Sequence, residues 1–222
     1  MSNIFCFGAS NAFGKCSVNG GWPDRLKQYL SEEYYGKEAP GARPYLVYNL
    51  CISGEPMEYL KQRVVQEIQF RQRPGRDNIV IFEVGGNDAI AKDTPDGFVS
   101  TPEAFRASLE ELLDLVRPLA NQVMFIGMPP HDESKTMPAV HHATGQKLYM
   151  SNERRRLFEG IVADFCKVHN VPFAPFITSS LESDWTQKHL WRDGQHMNEA
   201  GHAWLFDQRV KPAVLQLLEN VK

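Results

Sequence analysis

The chain has 222 residues, 42% hydrophobic and 23% charged, with a formal net charge of -3. That length suits one globular domain over residues 1–222 with a sizeable core, and the charge balance, with no basic face, argues against nucleic acid as a partner. No stretch approaches the ~18 consecutive apolar residues of a membrane span, so no membrane insertion is expected.

The first apolar run, Asn3–Phe7, has no basic residues before it and reads as a buried strand, not a signal peptide. Strand candidates follow at Tyr45–Leu50, Ile79–Val84, Gln122–Gly127 and Val171–Pro175. Helical periodicity fills the intervals at Pro23–Tyr35, Met57–Arg71, Pro102–Leu115, Ser151–His169 and Glu199–Leu218. Pro23 and Pro102 stand at first helical positions and Ser151 is a cap-type start. Five βα units in succession predict an α/β fold with a parallel sheet, helices on both faces, and every strand-to-helix loop on one edge. Residues 128–150 break the pattern: Pro129, Pro130 and Pro138 lie among polar residues without a clear period, in a connection long enough to be functional or mobile over that edge.

Four loops carry chemistry. Gly8-Ala9-Ser10 follows the first strand, where Gly8 permits a sharp turn that presents the Ser10 hydroxyl. Asp193-Gly194-Gln195-His196 precedes the last helix and supplies a base, His196, and a carboxylate, Asp193, to orient it. Between them, Asn49–Gly54 and Gly85-Gly86-Asn87-Asp88 each follow a strand. The backbone N–H groups of Ser10 and Gly54 and the side-chain amide of Asn87 are then candidate oxyanion donors.

These blocks resemble the SGNH hydrolases, or GDSL-type esterases and lipases, which carry Ser, Gly, Asn and His in that order. Trp22-Pro23-Asp24-Arg25-Leu26 and Asn198-Glu199-Ala200-Gly201-His202 are similar to further recurring features of the family. The resemblance implies a three-layer αβα sandwich around a flavodoxin-like five-stranded parallel sheet, a Ser10/Asp193/His196 triad, and hydrolysis of esters or thioesters through an acyl-enzyme without a cofactor or metal. The expected partner is a small soluble acyl ester, such as an acetylated saccharide. Ala9 stands where the family has Asp, so an SGNH-like protein that binds acyl or sugar ligands with little turnover is the alternative reading.

The bland readings of other residues are structural. Arg154-Arg155-Arg156 reads as a solvated charge run, His141-His142 as solvated loop residues, and Asp88 as a brace for the Asn87 loop. His131 and His189 are candidates to line the cleft, while Phe158, Phe165, Trp204 and Phe206 fall at core spacing. Gly8 to Cys16 is a poor phosphate-binding loop: five residues separate Gly8 from Gly14, and Cys16 replaces the magnesium-binding hydroxyl, which leaves nucleotide binding a distant alternative. Cys6, Cys16, Cys51 and Cys166 show no ligand or disulfide spacing and read as reduced thiols of a cytoplasmic protein.

Overall fold

Strand β1 (Ser2–Gly8) is buried along its whole length because both of its faces are covered. In the computed structural model, which describes residues 2–37, 44–179 and 181–219, Ile4 and Cys6 point into one apolar layer while Phe5 and Phe7 point into the other. That alternation within a continuous apolar run is what a parallel sheet covered by helices on both sides requires.

The helix α1 (Ser10–Phe13) follows β1 at once, and α2 (Trp22–Ser31) extends through a π-helical turn at Glu32–Gly36. Next come β2 (Tyr45–Asn49), α3 (Met57–Arg71), β3 (Asn78–Glu83), the two-residue β4 (Ala91–Lys92), α4 (Pro102–Val116) and β5 (Gln122–Ile126). The short α5 (Glu133–Thr136), β6 (Ala139–Val140) and β7 (Lys147–Tyr149) lead to α6 (Asn152–His169), β8 (Phe173–Ala174) and α7 (Trp185–His189). The chain ends in α8 (Glu199–Leu205), a π-helical turn at Phe206–Val210, and α9 (Lys211–Glu219).

The main sheet runs β2-β1-β3-β5-β8, all parallel, which among its own five strands is the doubly wound order 2-1-3-4-5. One face packs on Trp22, Leu26 and Leu30 of α2, with Leu205 of α8 and Val214 and Leu217 of α9. Against the other lie Leu60, Val64 and Ile68 of α3, Leu109 and Leu112 of α4, and Phe158 and Phe165 of α6. The predicted three-layer α/β architecture is the one observed. The sheet order reverses beside β1, so the loops after β1 and β3 flank the crevice where such folds place ligands.

Residues 128–150 are not a plain overhang. They contribute α5 and two strands, β6 and β7, which join β4 in a small antiparallel sheet β4-β7-β6, in which Ala91 pairs with Tyr149 and Ala139 with Leu148. This sheet stands over the crevice as a wall.

Candidate active site

Ser10 is the first residue of α1, one residue beyond β1. The turn between them is tight: a Cβ on Gly8 would lie 2.5 Å from Ala12 Cβ and 3.2 Å from the Glu83 carbonyl oxygen. The strand-to-helix reversal therefore depends on glycine there. Ser10 is nearly buried, and its hydroxyl donates to His196 Nε2 at 3.0 Å.

His196 Nδ1 donates in turn to Asp193 Oδ2 at 2.7 Å. The other carboxylate oxygen, Oδ1, accepts from the backbone N–H of His196 at 3.0 Å and of Gln195 at 2.9 Å. Burial works to raise the Asp193 carboxyl, but the His196 side chain and these two backbone donors outweigh it and hold the group far below the usual carboxylate range. An ionised Asp193 keeps the imidazole proton on Nδ1 and leaves Nε2 free to accept.

The loop carrying His196 is anchored to the loop carrying Ser10. Asn11 Oδ1 accepts from the Met197 N–H at 3.0 Å, and Glu199 Oε2 accepts from the Ser17 hydroxyl at 2.6 Å and the Val18 N–H at 3.0 Å. Glu199 Oε1 accepts from Asn19 and Arg25. Chain ends separated by 186 positions are thus tied by side chains besides the Ser10–His196 contact.

The second block is delivered by pairing that continues past β2, with the Leu50 N–H bonded to the Cys6 carbonyl and the Ile52 N–H to the Gly8 carbonyl. Gly54 then adopts φ +82°, a left-handed conformation that suits glycine. Asn87 Nδ2 donates to the Glu55 carbonyl at 3.1 Å, which locks the two middle loops together. Asp88 accepts from the Met57 N–H at the start of α3 through both oxygens, at 3.1 and 3.2 Å, and so braces the Asn87 loop as expected.

Ser10, Gly54, Asn87 and His196 line one cleft of about 220 Å³. Its outer wall is polar, with Lys15, Lys92, His141, Thr144, Gln146 and Gln195. Three of these come from the β6–β7 region. His141 is exposed in its loop, as expected, and also borders the cleft, its Nδ1 2.9 Å from Thr144 Oγ1. His189 lies elsewhere, stacked on Trp185 with its Nδ1 bonded to the Trp185 carbonyl.

Arg155 departs furthest from the sequence reading. It is 5% exposed and lines a second, smaller pocket of about 30 Å³ beside Ser10, together with Glu83 and His131. The signal was present in its spacing: Arg155, Phe158 and Val162 share the buried face of α6. Arg154 does not form a solvated run either, since it covers the rings of Phe98 and Phe158. The Arg155 guanidinium donates from Nη1 to His131 Nε2 at 2.8 Å, which makes that imidazole the neutral Nδ1–H tautomer. Burial, then the neighbouring Arg155 charge, pushes His131 well below the ordinary histidine range. The next acid along, Glu159, accepts from the N–H groups of Met128, Phe176, Ile177 and Thr178 and from the Thr178 hydroxyl, and fixes the turn after β8.

Cys16 was also unforeseen. Its sulfur, an Asp193 oxygen and a His196 ring nitrogen lie within 4.8 Å of one another. No regular spacing in the sequence points to that meeting.

An αβα sandwich with serine, glycine, asparagine and histidine on successive loops of its crevice defines the class: SGNH-type hydrolases. Residues 6–204 match the GDSL-like lipase/acylhydrolase family, and the chain belongs to that family of ester hydrolases. It is 24% identical over 192 residues to the GDSL esterase/lipase WDL1 of Oryza sativa subsp. japonica, across 82% of this chain and 66% of that protein, and so spans just under two thirds of its length. The fold is similar to that of a lipase/acylhydrolase from Enterococcus faecalis, with a TM-score of 0.71 and 18% identity over 99% of this chain and 96% of that one. It is similar also to the psychrotrophic esterase EstA from Pseudoalteromonas sp., with a TM-score of 0.68 and 14% identity over 99% and 100% of the two chains. A variant of an acetyl xylan esterase from Geobacillus stearothermophilus matches at a TM-score of 0.62 and 16% identity over 92% and 91%.

Proposed function

We propose that the chain hydrolyses a small soluble carboxylic ester through an acyl-enzyme on Ser10. The observation that carries this reading is the unbroken hydrogen-bonded series from Ser10 Oγ through His196 to Asp193. Ser10 Oγ attacks the ester carbonyl as its proton passes to His196 Nε2, and the carbonyl oxygen becomes the oxyanion. The N–H groups of Ser10 and Gly54 and the second Nδ2 proton of Asn87 receive that charge. Collapse of the intermediate expels the alcohol, which takes the proton from His196. A water then gives its proton to the same nitrogen, attacks the acyl carbonyl, and releases the acid with Ser10 restored.

The polar outer wall of the cleft favours a polar alcohol over a long hydrocarbon, and an acylated saccharide fits it best. A structural neighbour named as an acetyl xylan esterase supports the same direction. Ala9 in place of the family acid leaves the nucleophile loop without a carboxylate, but the Asn11–Met197 bond holds that loop to the histidine loop. This favours turnover over a ligand-binding role without chemistry.

The test is Ser10→Ala with short p-nitrophenyl esters, paired with fluorophosphonate labelling of the parent. The expected result is loss of turnover by at least about 1000-fold, with label only on Ser10. Undiminished turnover in the variant, or label on another serine, refutes the assignment.

A further inference from the structure

The small pocket beside Ser10 shares Ser10, Asn87, Ile90 and Gln195 with the open cleft but is not bordered by His196. On the acyl-enzyme reading, that distinction assigns its occupant. The leaving alcohol must face His196 to receive a proton and the carbonyl oxygen must face Asn87, so the acyl chain takes the remaining direction from the tetrahedral carbon. About 30 Å³ is room for some two water-sized groups, which limits the chain to very few atoms beyond the carbonyl.

The lining of this pocket is unlike an ordinary acyl slot. Met128 and Ile90 are apolar, but Glu83, His131 and Arg155 all border it and all are buried. Arg155 makes a hydrogen bond to His131 and is charge-coupled to Glu83 and Glu159, yet among the described residues no carboxylate lies in hydrogen-bond contact with its guanidinium and its Nε has no partner. A buried guanidinium so sparsely bonded is costly unless something else accepts from it. Burial lowers it only to about 10, so it stays charged at neutral pH, while Glu83 is raised to about 7 and keeps much of its proton there. His131 is neutral. The pocket therefore presents a strong donor beside a carboxyl able to donate or accept.

We propose that this pocket is an acyl subsite selective for a short acyl group with an oxygen on its second carbon, a 2-hydroxyacyl ester such as a glycolyl ester, with Arg155 as the residue that reads that oxygen. The hydroxyl accepts from the guanidinium and hydrogen-bonds to Glu83. A hydrocarbon of equal length strips water from both groups and returns no bond. The proposal deepens the reading of Ser10 as the acylated residue and rests on it.

The test compares glycolyl, propionyl and acetyl esters of 4-methylumbelliferone, since glycolyl and propionyl contain the same number of non-hydrogen atoms. Arg155→Met is expected to lower the glycolyl-to-propionyl ratio of kcat/KM by about 10- to 100-fold relative to the parent, the worth of a hydrogen bond to a charged group. Comparing ratios between two proteins cancels the intrinsic reactivity of each ester and the folded fraction of each preparation. If Arg155→Met does not fold, Gly86→Ala and the parent carry the test. A Cβ at Gly86 comes no nearer than 3.4 Å to Arg155 Nη2, an ordinary contact, yet it narrows the pocket. It should therefore depress glycolyl and propionyl turnover about tenfold relative to acetyl. In the parent, free glycolate should inhibit at a concentration about tenfold below propionate. An unchanged ratio in Arg155→Met, acetyl selectivity unaffected by Gly86→Ala, or equal inhibition by the two acids overturns the proposal. Failure of all three esters to react would instead overturn the hydrolase reading itself.

Discussion

In the proposed mechanism one short side chain, Asn87, holds two duties. One Nδ2 proton is spent on the Glu55 carbonyl, which fixes the amide plane, and the proposed mechanism gives the other to the substrate oxyanion. Asn87→Ala is expected to lower kcat by about 100- to 1000-fold with little change in KM, because the bond it makes matters most once charge develops on oxygen. Steady-state kinetics on a short ester, read beside a circular-dichroism melt, separates that loss from collapse of the loop; an equal rise in KM would argue for ground-state binding instead. The candidates Ser10, Gly54, Asn87, Asp193 and His196 were legible because they fall in four short segments between strands and helices, where few residue types carry chemistry. Arg155 was not, since its neighbours Arg154 and Arg156 made it look like a surface run. Only its register with Phe158 and Val162 marked the buried face.

Elements deliver these residues, and one junction, between the first loop and the last helices, joins the two ends of the chain. Glu199, in the first turn of α8, gathers Ser17, Val18, Asn19 and Arg25. Although burial opposes it, the Ser17, Asn19 and Arg25 bonds lower this carboxyl to about 2. Much of that attraction is screened at so open a site, so Glu199→Gln should cost no more than about 1 kcal/mol of stability. Its effect on kcat should be larger, about tenfold, since a shift of α8 against α1 displaces His196 from Ser10. Thermal melting and kcat measured on the same preparation check this, and a variant with parental kcat would show that the remaining bonds, Asn11 to Met197 and His202 to the Lys15 carbonyl among them, hold the junction. The long amphipathic helices were readable from period, α3 to the residue at Met57–Arg71. Glu199–Leu218 read as one helix, but the structure inserts a π-helical turn at Phe206–Val210, a local change that keeps an apolar face and so leaves no mark in the pattern. The cleft wall was illegible because β4 and β6 have two residues each and β7 three, too short for any alternation to register.

On the scale of the whole molecule, the sheet separates two apolar layers, and two buried carboxyls, Glu83 and Asp88, lie at or just beyond the end of β3. Burial raises Glu83, at the end of β3, from 4.5 to about 7 against the Trp22 hydrogen bond and the Arg155 charge, and raises Asp88 from 3.8 to about 6 against the Met57 N–H. Burial also lowers His131 and His202 below the ordinary histidine value. These shifts act with opposite sign. Between about pH 4.5 and 6 the native state holds protons on Glu83 and Asp88 that the unfolded chain has released, which makes stability fall as pH rises. Where the unfolded chain binds protons on His131 and His202 more readily than the native state does, stability rises with pH. Glu83→Gln removes one member of the balance while keeping an acceptor for Trp22 Nε1, 2.9 Å from the native Oε2. Relative to the parent, the variant should gain about 1.4 kcal/mol per pH unit from about pH 4.5 to 7, roughly 3 kcal/mol in all, and then hold that advantage above pH 7. Urea unfolding of both proteins from pH 4.5 to 8.5 measures the difference directly. A pH-independent difference would mean that Glu83 titrates alike in both states, and that Arg155 compensates its burial in full.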